Sequence, residues 1–117
     1  MAYSNVINEK SFNFAIRIVN LYKYLIETKK EFVLSKQLLR CGTSIGANVS
    51  ESKEAQSKKD FISKLSISLK EARETEYWLN LLKETNYLNI NEYNSIFNDL
   101  GEIIKILVSI IKTSKEK

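Results

Sequence analysis

Apolar residues recur at three- and four-residue steps through four stretches of the chain, separated by short polar breaks. In the first stretch Ala15, Ile18, Val19, Tyr22, Leu25 and Ile26 fall on one helical face, and Phe12, Phe14, Ile16 and Leu21 widen it. A helix apolar over so much of its circumference needs more than one neighbour, within the chain or on another subunit. The second stretch carries Leu34, Leu38, Cys41, Ile45, Val49 and Ser52 as an apolar and small seam. The third carries Phe61, Leu65, Leu69, Ala72, Tyr77, Trp78, Leu79 and Leu82. In the fourth, Tyr93, Ile96, Phe97, Leu100, Ile103, Ile104, Leu107, Ile110 and Ile111 follow a heptad-like seam. The pattern predicts helices over about 8–29, 35–55, 58–85 and 91–114.

The breaks carry their own signals. Ser35 is placed to cap the second helix, with Leu34 and Leu39 at the spacing of a hydrophobic staple. Ser57 and Asp60 have the spacing of a capping box before the third helix. Asn89 or Asn91 is placed to cap the fourth. Short connections favour antiparallel neighbours, so the expected fold is all-α: one domain, an antiparallel up-down-up-down four-helix bundle. Gly42, Gly46 and Gly101 fall inside helices, where each costs about 1 kcal/mol against alanine; close approach of a neighbouring helix is the expected compensation.

Composition supports this picture. The chain has 117 residues, no proline and only three glycines, too few turn formers for an all-β protein. One cysteine, Cys41, cannot form an internal disulfide. The longest apolar run, 103–111, is broken by Lys105 and Ser109, so no membrane span is expected. The N-terminus lacks the basic-then-apolar pattern of a signal peptide, and a cytoplasmic location is expected.

Candidate chemistry is sparse. There is no histidine, which removes the commonest general base and metal ligand. No phosphate-binding glycine loop, zinc set or Glu-x-x-His pair is present. Cys41 reads as a small core residue. Glu51, Glu71 and Glu74 read as partners for Arg40, Arg73 and Lys70 rather than as a cation site. No catalytic residue, cofactor, metal or small-molecule substrate is therefore expected. The net charge of +4 allows a polyanionic partner. Arg17, Lys53, Lys58, Lys59 and Lys64 are the candidate phosphate contacts, and Lys29, Lys30 and Lys36 fall at the opposite end of such a bundle. Lys112, Lys115 and Lys117 suit the negative end of the last helix dipole. Tyr77, Trp78 and Tyr87 form a candidate protein interface.

Three segments carry a resemblance. They are the run from Ser35 to Glu51 with Arg40, Ser44, Ile45 and Asn48; the run Ser57 to Ile62; and Leu69 to Leu79 with Glu71, Glu74, Thr75, Tyr77 and Trp78. Together they resemble the four-helix bundle proteins encoded in intervening sequences of bacterial 23S ribosomal RNA genes. Those in turn share an architecture with accessory variability determinant proteins of diversity-generating retroelements. The resemblance covers nearly the whole chain. It implies a homopentamer from a family with no established biochemical activity; the related accessory variability determinant proteins bind nucleic acid and a reverse transcriptase through a basic surface, which makes RNA or DNA the expected partner. Its polar positions fall on Arg40, Asn48, Glu51, Glu71 and Glu74, expected to form a buried or half-buried network between the second and third helices. In that network Arg40 pairs with Glu71 or Glu74, and the Asn48 amide bonds across the seam. Two functions stand at this point: a non-enzymatic nucleic-acid-binding accessory protein, or a protein–protein scaffold.

Overall fold

The computed structural model describes residues 2–116, with side chains from residue 5 onward. Four helices follow one another: α1 (Ala2–Glu27), α2 (Leu34–Ser52), α3 (Lys58–Glu84) and α4 (Ile90–Lys115). No strand occurs among the described residues. Each helix packs against its sequence neighbours, and α1 closes the ring against α4; the backbones of the diagonal pairs stand further apart. This is the antiparallel up-down-up-down bundle the pattern predicts. At 1.5 Å per residue, helices of 26 residues are about 39 Å long, in keeping with the molecule's 46 Å long axis.

The helix starts and stops follow local chemistry, and one start differs from expectation. α2 is capped from outside by Glu31, and Ser35 is not its N-cap. The Glu31 carboxylate accepts from the backbone N–H groups of Val33 (3.0 Å), Leu34 (3.0 Å) and Ser35 (2.6 Å). The Ser35 hydroxyl turns back and donates to the Glu31 carbonyl (2.8 Å). A carboxylate satisfies more of the free N–H groups of a first turn than one hydroxyl can, which is why it displaces the serine. Burial alone would raise the Glu31 pKa, but these donors outweigh it and hold the carboxyl below its ordinary value. α3 starts as expected at Ser57, whose hydroxyl accepts from Asp60 N–H (3.0 Å). The reciprocal half of the box is absent: the Asp60 carboxylate accepts from Gln56 N–H instead. α4 has the full capping box between Asn89 and Glu92.

α3 ends in a Schellman turn. Asn86 takes the left-handed conformation (φ 69°), and the N–H groups of Asn86 and Tyr87 donate to the carbonyls of Lys83 and Leu82. α1 begins at Ala2, earlier than the expected Asn8, and ends at Glu27, two residues before the expected Lys29.

The core runs the length of the bundle. Phe14, Ile18, Leu25, Leu38, Ile45, Leu65, Leu79, Leu82, Leu100, Ile103 and Leu107 are fully buried. On α1 the true core stripe is Ile7, Ser11, Phe14, Ile18 and Leu25, rotated from the expected one, while Phe12 and Ile16 lie on the surface. Gly46 meets the expectation of close approach: a Cβ there would lie 3.1 Å from the Ser11 carbonyl oxygen of α1. Gly42 is confined instead by the Ile18 side chain, with a Cβ 2.8–2.9 Å from its carbons. Gly101 corrects the expectation, because nothing outside its own helix lies within 4 Å of its Cβ position.

The seams differ in character. Between α2 and α3, Ser68 donates to the Ile45 carbonyl (2.8 Å), and the Thr75 hydroxyl lies 3.3 Å from the Cys41 sulfur. Small buried polar residues let these two helices approach closely while every hydroxyl keeps a partner. Between α1 and α4 the helices stand apart over a groove of about 440 Å³, lined by Arg17, Asn20, Leu21, Tyr24, Leu88 and Ile96 among others. That seam is bridged at its rim by Arg17 to Asp99 (2.6 Å) and by Lys10 to Glu102 (2.9 Å).

Candidate functional site

The end of the bundle at the α2–α3 turn gathers cations from several elements. α2 closes at Ser52, and Lys53, Glu54 and Ala55 turn the chain through N–H bonds to the Ser50, Glu51 and Ser52 carbonyls. Ser57 is extended, and Lys58 and Lys59 form the first turn of α3. Ile7, Val49, Lys53, Phe61 and Ile110 line one small cavity, which places the start of α1 and the end of α4 at this same pole. Lys112 and Lys115, in the last turn of α4, therefore join Lys53, Lys58 and Lys59 there. Lys117, grouped with them on the sequence, lies outside the described residues. All five pole lysines are exposed, with Glu54, Asp60 and Glu116 as the nearby carboxylates.

Lys58 and Lys59 sit against local preference. The start of a helix carries a partial positive charge that disfavours cations by a few tenths of a kcal/mol. Lys112 and Lys115 are on the favourable end of α4, which is the only signal the sequence offered for them. Their membership of the pole follows from topology.

Two expected phosphate contacts lie elsewhere or are engaged. Arg17 is on the α1–α4 seam, on the helix diagonal to α3, which carries Lys58, Lys59 and Lys64. Its guanidinium binds Asp99 and both the hydroxyl and the carbonyl of Ser95. Lys64 lies further along α3, 3.3 Å from the Glu51 carboxylate. Both cations were expected at the interface because sequence position does not reveal a partner on another helix.

The polar network between α2 and α3 forms in part. Arg40 reaches Glu71 (3.4 Å), Glu74 and Gln37 (3.3 Å). Glu74 also accepts from Trp78 Nε1 (3.0 Å). The indole donor, against an opposing effect of burial, and then Arg40 hold the Glu74 carboxyl below its ordinary pKa. Arg40 is about half exposed (51%), so the network lies at the surface end of the seam rather than inside it. Asn48 corrects the expectation: its amide donates to the Ser44 carbonyl within α2 (2.8 Å) and not across the seam. Glu51 belongs to Lys64 instead. The bonds that do cross the interior come from Ser68 and Thr75, neither of which the pattern places in the network. Their signal was a small hydroxyl at a core step, Ser68 and Thr75 flanking Ala72.

Cys41 is buried, and burial pushes its thiol pKa up, which keeps it protonated and unreactive. Among the described residues no group of histidine, cysteine, aspartate or glutamate side chains is arranged to hold a metal ion. None of the helices is long and apolar enough to cross a membrane. The aromatic candidates divide. Tyr77 is 60% exposed and meets Trp78 edge-on, with centroids 5.0 Å apart. Trp78 and Tyr87 are half-buried against the core, and Tyr87 belongs to the α3–α4 connection. They do not make one aromatic surface.

Comparison with known proteins agrees with the fold. A crystal structure of a protein of unknown function from the S23 ribosomal protein family of Bacteroides thetaiotaomicron is 61% identical to this chain. It superposes with a TM-score of 0.93, over 94% of this chain and 98% of the other. Comparison with curated proteins gives no significant match. The family model described as 23S rRNA-intervening sequence protein matches residues 4–109. That description names no enzymatic activity. With the match extending over most of the chain, the protein belongs to the 23S rRNA-intervening sequence protein family.

Proposed function

We propose that this protein is a non-enzymatic accessory protein that binds RNA or DNA through the phosphate backbone. The observation that carries this reading is the lysine pole: Lys53, Lys58, Lys59, Lys112 and Lys115 come from the α2–α3 turn, α3 and α4 to one end of the bundle. Lysines on helix ends contact phosphates without reading bases, so the binding is insensitive to sequence and sensitive to salt. Family membership in a group named for ribosomal RNA intervening sequences is in keeping with a nucleic-acid partner.

The protein acts as a homo-oligomer, a ring that repeats the pole and turns modest single-subunit affinity into avidity. Phe12 (66% exposed) and Ile16 (46%) stand one turn apart on α1, and a subunit contact over them removes apolar surface from water. The pentamer implied by resemblance is the stoichiometry this reading carries.

The test is fluorescence anisotropy of a structured RNA and a matching DNA duplex against a salt series. Log affinity should fall linearly with log salt, by about 0.9 per phosphate neutralised on a duplex. Affinity that does not change with salt would refute phosphate binding and favour a protein scaffold. Light scattering on the same sample gives the stoichiometry, and a monomer at working concentration would remove the ring.

A further inference from the structure

The opposite end of the bundle presents a different surface, at the α1–α2 connection. Here Phe32 is 54% exposed and Val33 is 72% exposed. Lys29, Lys30 and Lys36 flank them in sequence and are exposed as well. The connection contains one carboxylate, Glu31, and it is turned inward: 7% exposed and bound by the N–H groups that start α2. Its charge is spent on the cap, so among the exposed residues 27–37 the three lysines outnumber the one exposed carboxylate, Glu27.

The tip is held in this form. Lys30 takes the left-handed conformation (φ 56°), and Glu31 N–H bonds back to the Leu25 carbonyl (2.9 Å). With Glu31 pinned on both its backbone and its side chain, the next two residues are displayed outward. Lys29 rests near the Tyr24 ring, its Nζ 5.9 Å from the centroid. The groove at this end of the molecule runs between α1 and α4 and is lined by Leu21, Tyr24 and Leu88, not by Phe32 or Val33.

An aromatic residue half-exposed among cations suits a flat ligand carrying negative charge. An amphipathic helix needs a groove to receive its apolar face. A nucleobase needs only one ring face, with phosphates on either side reaching the cations. A duplex cannot use the ring, because its bases are already stacked.

We propose that Phe32 is a stacking platform for an unpaired base, with Lys29, Lys30 and Lys36 contacting the adjoining phosphates of a single strand. This deepens the nucleic-acid reading and rests on it. The two poles divide the work: the lysine pole takes the backbone of any nucleic acid, and the α1–α2 tip takes unpaired nucleotides.

The experiment compares a short labelled single-stranded RNA with the same RNA annealed to its complement, by anisotropy. Wild type, Phe32→Ala, Phe32→Trp and the triple variant Lys53→Ala, Lys58→Ala, Lys59→Ala are titrated alongside phosphatidylcholine–phosphatidylserine vesicles. Phe32→Ala should weaken single-strand binding about 5- to 150-fold and leave duplex binding unchanged. Phe32→Trp should retain the single-strand affinity. Circular dichroism of both Phe32 variants should match wild type, since the ring is largely in solvent. Single-strand affinity unchanged in Phe32→Ala would overturn the tip proposal and leave the lysine pole standing. A triple variant without effect, beside a weakened Phe32→Ala, would overturn the pole and support the tip. Loss of vesicle binding in Phe32→Ala with RNA binding intact would overturn the proposal in favour of a lipid surface. A wild-type protein that binds neither RNA would overturn both readings.

Discussion

The α2–α3 seam and the α1–α4 seam belong to the same bundle, yet they are built on different terms. Between α2 and α3 the contact is close, with Ile45, Leu65 and Ala72 fully buried and hydroxyls from Ser68 and Thr75 bonded inside it. Between α1 and α4 a groove of about 440 Å³ remains, and charged side chains span its rim. Close packing gains dispersion contacts and excludes water along the whole helix, whereas exposed ion pairs contribute little each. The first seam is therefore expected to be the less tolerant of truncation.

The largest expected contrast comes from truncation. Ile45→Ala should destabilise by about 3 kcal/mol, because the surrounding core cannot collapse into the space. Leu21→Ala, beside the groove and already half-exposed, should cost about 1 kcal/mol. Urea unfolding of the two variants measures the difference, and equal losses would erase the distinction between the seams.

Next is the cap on the tight side. Glu31→Ala leaves the start of α2 without its acceptor and should cost about 2 kcal/mol near neutral pH. The pH dependence has a definite sign. The folded-state pKa of Glu31 lies below its unfolded value, so its contribution is present above the ordinary carboxylate range and is lost as pH falls through the lowered folded value. The gap in urea midpoint between wild type and Glu31→Gln should therefore narrow on acidification.

The glycines give a smaller effect with opposite signs. Gly42→Ala drives a Cβ to within 2.8–2.9 Å of Ile18, a stiff and fully buried side chain. Overpacking should outweigh the gain in helix propensity and leave a net loss of about 1 kcal/mol. Gly101→Ala meets nothing within 4 Å and should stabilise by up to about 1 kcal/mol. Melting temperatures that move in the same direction for both would contradict the packing assigned to them.

The smallest effect belongs to the rim. Arg17→Met should change stability by less than about 1 kcal/mol, and by still less at high salt. A loss as large as that of Ile45→Ala would mean that the α1–α4 pairs carry the bundle.

The sequence made the fold legible because helix-period hydrophobicity is a local and strong signal. On α4 every apolar position listed from the pattern is buried or half-buried. Legibility failed where the deciding partner was on another element. Glu31 displaced Ser35 as the cap because it reaches several N–H groups at once, which spacing alone does not disclose. Gly101 read like Gly46 until the neighbouring backbone was in view. Arg17 read as a free cation and proved to be held by Asp99 and Ser95 across the loose seam. At the lysine pole, Lys53, Lys58 and Lys59 were visible as a cluster in sequence. Lys112 and Lys115 joined them only through the antiparallel topology.

The central claim is that nucleic acid is held at the lysine pole while the α2–α3 seam stays closed. Hydrogen exchange of the protein alone and saturated with a fully paired RNA duplex tests both halves at once. The account predicts slow exchange along the buried face of α2 and α3 in both states, with new protection confined to the 53–59 turn and the facing end of α4. A saturated complex in which that turn exchanges as it does in the free protein would contradict it.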